Sequence, residues 1–423
     1  MQQAQAVFGL VHLSCRPSGS TARLLRRALL TAAAALLLLC QVNLFRAVLP
    51  DSLAGLADFR AMYSAGCIVG TGHAAQLYDY SYERDLQNEA AGPRKGALPF
   101  VYPPFAVLPF VPLSLLSYRE AYFVLLLINL LLLGAAAAIL SRRLPALVSL
   151  WRPLPLVLFL TFLPVGVALV QGQVSILLLL LCCGCYVSLQ GGRPFRAGLL
   201  LAGMLIKFQI ALPVALLFLA WRRWRFLAGF VLGAAVLACL SLLVAGAGGV
   251  AVYAHSLLSM AAGVSAPSEQ ARLGMFPSRM PNLHGVFYAL SGGAAWGNGL
   301  TLVSSILVML RTAAARASLP RALLAALLVS YHLQPHDLSL LLVPIAVLME
   351  AALAPMSLQD GVRSRGRAIS LRALAGGFAV ALLLLAPVPL VLIARGLACL
   401  LAIPVAGILM GAEARAGLVA SPH

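Results

Sequence analysis

Long apolar runs separated by short basic clusters dominate the chain. Ala28 to Leu49, Ala121 to Leu140, Val174 to Leu189, Phe226 to Ala245 and Ala373 to Ala394 each come near the ~20 residues needed to cross a hydrocarbon core. Leu, Ala and Val fill these runs without the strict alternation of an outer-membrane barrel strand, so the pattern predicts helices. Two stretches are interrupted. Phe100 to Leu116 holds Pro103, Pro104, Pro109 and Pro112. It reads as a full span, a broken span or a re-entrant element, because proline breaks are tolerated where the freed backbone faces protein or a cavity. Arg196 to Ala220 reads as one helix or as two short ones meeting near Lys207. The expected fold class is therefore an all-α polytopic membrane protein with about ten to twelve transmembrane helices. One domain covers residues 1–423, with external loops at about 50–99, 246–297 and 332–337.

Composition supports this picture. Of 423 residues 62% are hydrophobic and only 10% charged, against roughly 25% charged in soluble domains. The net charge of +18 sits in clusters between apolar runs: Arg23, Arg26 and Arg27; Arg142 and Arg143; Arg193 and Arg196; Arg222, Arg223 and Arg225; Arg311, Arg316 and Arg321; Arg363, Arg365 and Arg367. Such clusters orient a membrane protein. They place the N-terminus in the cytoplasm and bring the chain outside after Leu49. No aromatic-interleaved basic face accompanies them, so no nucleic-acid partner is expected. Ala28 to Leu49 is longer than the apolar core of a cleaved signal peptide and reads as a span. Of eight Cys, six lie in apolar runs and read as small hydrophobes. Cys182-Cys183-Gly184-Cys185 lacks a nearby His or acid, so no metal is expected there.

The acids are unevenly placed. Six lie in the first external loop: Asp51, Asp58, Asp79, Glu83, Asp85 and Glu89. From Ala121 to Pro335 there is only Glu269, in the second loop. Chemistry that needs a carboxylate is thus expected on the outer side. Asp58 stands in an apolar context, Gly-Leu-Ala-Asp-Phe-Arg-Ala-Met-Tyr, where an acid is costly unless used or paired. Arg60 is one local partner. Lys occurs only at Lys95 and Lys207. Lys207 lies inside an apolar run, where it either meets an anion such as a lipid-linked phosphate or snorkels to an interface. His332, His336 and Asp337 form a polar break around Pro335, open to a metal, to phosphate or sugar contacts, or to helix capping. Gln171-Gly172-Gln173 is a second polar break, whose amides suit sugar hydroxyls or helix-end backbone groups.

Several of these residues carry a resemblance. The chain resembles the membrane glycosyltransferases of the GT-C superfamily, in particular family 87, which includes polyprenyl-phosphate-mannose-dependent α-mannosyltransferases. The similarity runs through Asp58-Phe59, Leu77-Tyr78-Asp79, Tyr102-Pro103-Pro104-Phe105, Gly172-Gln173-Val174-Ser175, Ala197-Gly198, Lys207, Met280-Pro281-Asn282-Leu283-His284-Gly285 and the His332 to Asp337 cluster. Where many relatives carry Arg in the Asn-Leu motif, this chain has His284. The resemblance implies a GT-C-type bundle and an inverting, single-displacement hexosyltransferase. The donor it implies is a polyprenyl-phosphate sugar, the sugar mannose, and the acceptor a lipid or glycan on the outer face of a bacterial plasma membrane. Asp58 would be the general base, with Asp51 and Asp79 as alternatives. Lys207, His332 and His336 would hold the phosphate, with Arg60 and Arg279 behind them. Gln173 and Asn282 would meet sugar hydroxyls, and Tyr102 would line the substrate site. No cofactor is implied, and nothing in the pattern calls for a divalent cation. The competing reading is a polyprenyl-linked glycan carrier or flippase without catalysis, which predicts inverted repeats and charges deeper in the spans. A transferase of the same superfamily with another donor and acceptor, and a structural scaffold, are further readings. The scaffold leaves Lys207 and Asp58 without a purpose.

Overall fold

The computed structural model describes residues 19–418 apart from 95, 262–275, 359–376, 378–379, 381–382 and 385–386. Lys95, Glu269, Arg363, Arg365 and Arg367 lie outside the described residues. Among those described, the chain is helical and has no strand. The helices are α1 (Gly19–Asp51), α2 (Phe59–Gly70), α3 (Tyr80–Ala91), α4 (Tyr118–Ser141), α5 (Pro145–Leu150), α6 (Leu154–Thr161), α7 (Leu163–Gln171), α8 (Ser175–Gln190), α9 (Pro194–Gly203), α10 (Phe208–Ala220) and α11 (Trp224–Ala261). They continue with α12 (Leu283–Ser291), α13 (Ala295–Ala314), α14 (Leu319–Val329), α15 (Leu342–Leu358), α16 (Pro387–Ala394) and α17 (Ala402–Leu418).

Among the described residues, six helical segments are long and apolar enough to cross a membrane by length and composition, or seven if the bent pair α6–α7 is one span; one of the six, 194–220, is that long only when its two short helices are taken together. Three shorter apolar helices, 175–190, 319–329 and 398–410, accompany them. The all-α polytopic class holds, and the described residues supply fewer full-length spans than the ten to twelve expected, with part of the expected run Ala373 to Ala394 lying outside them. The physical reason is that several helices stop at an internal cavity. α14 has 11 residues, a rise of about 16 Å, roughly half of a ~30 Å core. Helices at the rim face outward with apolar side chains, as Leu36, Leu127, Leu131 and Leu243 do.

The segment 194–220 is two half-length helices that fold back on each other. Gly198 and Gly229 let α9 lie against the start of α11, with Gly198 packed on Phe226 and Gly229 on Phe195. Phe218 near the end of α10 stacks on the same Phe226 at 3.9 Å. The start of α9 and the end of α10 are therefore neighbours, and the chain reverses at the 3₁₀ turn Met204–Lys207. α14 and α15 make a comparable pair, reversing through 330–337. Gln209 Nε2 donates to the His332 carbonyl at the reversal end (3.2 Å), while Trp221 Nε1 donates to the Ala313 carbonyl at the Arg-rich end (2.9 Å).

The proline-rich stretch 100–116 is not a span. It forms two 3₁₀ segments, Pro104–Phe110 and Pro112–Leu115, because each proline removes a helical donor. The Phe105 N–H donates to Ser241 Oγ of α11 (3.3 Å). α1 ends in a π turn at Ser52–Leu56, where Gly55 takes φ +78°, and the chain re-enters helix at Phe59. Four breaks thus meet at one depth: 52–58, 171–174, 204–207 and 330–337.

Candidate active site

The four breaks surround a cavity of about 610 Å³, within the range of small-molecule sites. Asp58, Gln171, Gln173, Lys207, Gln209, Arg279, His332, Gln334 and His336 contribute polar groups to its wall. Leu56, Leu257, Phe276, Ile393 and Ala398 make an apolar flank.

Asp58 stands in the gap between the π turn and α2, with its side chain 39% exposed into the cavity. The turn between α7 and α8 clasps it. Gly172 takes the left-handed conformation (φ +62°) and ends α7. Gln171 Oε1 accepts the Asp58 backbone N–H (2.9 Å), and Gln173 Nε2 donates to Asp58 Oδ2 (2.7 Å). Behind Gln173, the Tyr102 hydroxyl donates to Gln173 Oε1 (2.9 Å). Gln173 and Tyr102 are both buried.

Lys207 is not a free cation. Its ammonium donates to Asp337 Oδ1 and, at 3.1 Å, contacts His336 Nε2. Asp337 is fully buried and also accepts from Ser175 Oγ (2.8 Å) and from the Gln334 N–H (3.1 Å). An ammonium has donors only. His336 Nε2 must therefore accept, the imidazole is neutral, and its proton sits on Nδ1. Nδ1 lies 4.0 Å from Asp58 Oδ2. His332 lines the same wall. Arg279 is exposed and lines the cavity with its guanidinium over the Phe276 ring at 5.6 Å. Among the described residues it has no carboxylate partner.

Asp58, Gln173, Lys207, Arg279, Tyr102, His332 and His336 thus converge on one cavity. Two expected residues do not. Arg60 does not pair with Asp58: its guanidinium bonds Asn88 Oδ1 (2.8 Å) and the carbonyls of Gly92 (2.9 Å) and Gly55 (3.3 Å). Positions two apart on a helix point in different directions, and Arg60 closes the first loop onto the π turn instead. Asn282 is buried and caps α12, with Oδ1 accepting the Gly285 N–H (2.9 Å) and Nδ2 donating to the Ser330 carbonyl. It anchors the 330–332 segment of the wall and does not face the cavity. The alternative bases are elsewhere. Asp79 caps α3 through the Ser81 and Tyr82 N–H groups (2.9 and 3.1 Å), and Asp51 is exposed at the end of α1. Gln209 was not singled out from the sequence, and Ser175 entered only as the end of the Gly172 to Ser175 motif, with no role assigned. The available signal was a polar side chain inside an otherwise apolar run, the same signal that marked Lys207. Among the described residues no three His, Cys, Asp or Glu side chains converge as a metal site.

The fold and cavity define a polytopic helical membrane protein with an internal polar site walled by chain reversals. The chain belongs to glycosyltransferase family 87, whose profile matches residues 100–344, more than half of its length. It is a membrane glycosyltransferase of the GT-C kind. The matched stretch contains Tyr102, Gln173, Lys207, Arg279, His332 and His336, and begins after Asp58. No curated protein and no solved structure matches the chain.

Proposed function

We propose that this glycosyltransferase moves a hexose, mannose by its resemblance, from a polyprenyl-phosphate donor to a hydroxyl of a lipid or glycan acceptor. The reaction is a single displacement with inversion at the anomeric carbon. The observation that carries the reading is the setting of Asp58: a carboxylate open to the cavity, held by one neutral amide donor, with the only cavity cation that lacks an acidic partner among the described residues, Arg279, in the same wall.

Asp58 Oδ2 or Oδ1 accepts the proton of the acceptor hydroxyl as that oxygen bonds to the anomeric carbon. The bond from that carbon to the phosphate oxygen breaks, and the polyprenyl phosphate leaves with the electron pair as an anion. A phosphate is a good leaving group at neutral pH, so the site must supply a base, anion stabilisation and alignment. Arg279 and the imidazoles of His332 and His336 suit the phosphate oxygens. Lys207, already neutralised by Asp337, acts through position. The apolar flank around Leu257, Phe276 and Ile393 suits the first isoprene units of a carrier lipid. The Arg clusters orient the cavity toward the outer face of the plasma membrane, with the N-terminus cytoplasmic.

The test uses purified protein in liposomes, radiolabelled polyprenyl-phosphate mannose and a crude lipid extract. Wild type is expected to make a labelled glycolipid with inverted anomeric configuration, and Asp58→Asn to make none. Retained activity in Asp58→Asn, or a product that keeps the donor configuration, overturns the mechanism. Label that crosses the bilayer without transfer would favour a carrier.

A further inference from the structure

The bonds around Asp58 run in one direction, and this direction can be deduced. An ionised carboxylate only accepts hydrogen bonds. The edge of the Gln173 amide facing Asp58 Oδ2 at 2.7 Å must therefore be the NH₂ edge. The far edge is then the carbonyl oxygen, which needs a donor, and the Tyr102 hydroxyl at 2.9 Å supplies it. Tyr102 is itself fixed: its carbonyl accepts from the Tyr78 hydroxyl (2.8 Å), and its ring packs against Phe100 at 5.6 Å. Gln173 is 4% exposed, which leaves little of its amide for a substrate. Its backbone N–H is also tied, donating to the Ala168 carbonyl at 2.9 Å.

We propose that Gln173, oriented by Tyr102, is a positioning residue that sets the Asp58 carboxylate for proton abstraction, in place of the sugar-hydroxyl role expected for Gln173 and the substrate-lining role expected for Tyr102. This rests on the reading of Asp58 as the base. Neutral donors are suited to the task. They fix one carboxylate oxygen and one rotamer without cancelling the charge, so the second oxygen stays aimed at the cavity and basic. A chain of hydrogen bonds pointing the same way also polarises each link. An error of about 1 Å in such alignment costs on the order of 100-fold in rate.

The test measures kcat and KM for donor and acceptor in the liposome assay, with polyprenyl-phosphate mannose and lipid extract. Gln173→Met is expected to lower kcat about ten- to hundredfold and to leave both KM values within about twofold. Tyr102→Phe, which keeps the ring, should lower kcat less, about three- to tenfold. It should cost nothing further when added to Gln173→Met, because it acts only through that amide. A tenfold rise in donor KM with kcat retained in Gln173→Met would make Gln173 a sugar ligand and overturn the positioning role, with the base untouched. Additive losses in the double variant would overturn the relay from Tyr102. Asp58→Asn, run in parallel, judges the base separately: if it stays active, that reading fails whatever Gln173 does. Infrared spectra of protein carrying ¹³C-labelled Asp need no turnover. The difference between wild type and Asp58→Asn isolates the Asp58 carboxylate band, and Gln173→Met must shift it. An unmoved band overturns the proposal.

Discussion

Asp58 and Asp337 lie on opposite sides of one imidazole and live in opposite circumstances. His336 Nδ1 is 4.0 Å from Asp58 Oδ2, and His336 Nε2 is 3.6 Å from Asp337 Oδ1. Asp337 is completely buried and saturated, by the Lys207 ammonium, the Ser175 hydroxyl and the Gln334 N–H. Asp58 is 39% exposed and takes one side-chain bond, from an uncharged amide. A carboxylate whose lone pairs and charge are both satisfied is a structural element. One that is held but not neutralised keeps a free oxygen for a proton. The two regions place two acids within reach of the same histidine, one saturated and one held by a single neutral donor.

The strongest way to break this comparison is to remove each charge in turn. Asp58→Asn is expected to lower transfer by about 10³-fold, within the range for loss of a general base, with the melting temperature in detergent unchanged. Asp337→Asn is expected to cost about 3–5 kcal/mol of stability, because it strands the Lys207 ammonium in the interior. Denaturant titration in detergent reads that loss. An Asp337→Asn protein that is as stable as wild type would remove the structural assignment. The next effect sharpens the pairing. Lys207→Met strands Asp337 by a similar amount, whereas Lys207→Met with Asp337→Leu should be more stable than either single variant, since replacing both members of a buried pair is often near neutral. If the double variant is the sum of the singles, the pair is not one unit.

Some of this could be read along the chain and some could not. The apolar runs gave the helical class, and the isolation of Asp58 among apolar neighbours marked it before any contact was known. The partner of Lys207 was hidden, because Asp337 is 130 residues away and meets it only through two chain reversals. Sequence shows that a charge in an apolar run is expensive. It does not show which reversal brings the opposite charge. The misplaced pairing of Arg60 with Asp58 has a different origin: Asp58 sits at the N-cap position of α2 and Arg60 lies two positions on, a spacing that already argued against it, while the real partners of Arg60 lie across the loop at Asn88 and Gly92. The two short helices meeting near Lys207 were one of the readings open for 196–220, but the runs on both sides of the turn are apolar, and only the non-helical backbone at Lys207 (φ −118°, ψ 75°) reveals that the chain reverses there.

A smaller change tests the clasp on Asp58 through its backbone. Gly172 has φ +62°, and a Cβ there would stand 2.7 Å from the Cβ of Phe59, the residue after Asp58. Gly172→Ala pays about 1–2 kcal/mol for the left-handed conformation and pushes directly on the start of α2. The expected result is a modest stability loss together with a fall in kcat of about tenfold. An alanine variant with wild-type kcat would mean that Asp58 tolerates displacement, and the alignment argued for its carboxylate would lose its force.

The smallest expected effect on transfer belongs to a third acid, Glu83, which extends the comparison outside the membrane spans. Glu83 is 2% exposed on α3, and its Oε1 accepts the Phe100 N–H (3.1 Å). Burial, with a further push from Asp79, raises its carboxyl to about 8, against the lowering effect of the Phe100 bond. The group is therefore protonated in the folded protein at neutral pH. A raised folded value means that its contribution to stability is complete below its unfolded value of 4.5 and is lost as pH rises toward 8. Melting temperature should accordingly fall between about pH 5 and pH 8 through this group. Glu83→Gln keeps the shape and the acceptor of the protonated acid and cannot ionise. It should flatten that part of the profile while leaving transfer at pH 7 near wild type, because Glu83 holds the loop at Phe100 and does not reach the cavity. A Glu83→Gln protein with the wild-type slope would mean that Glu83 is already ionised, and its burial would then need a cation that the described residues do not place beside it.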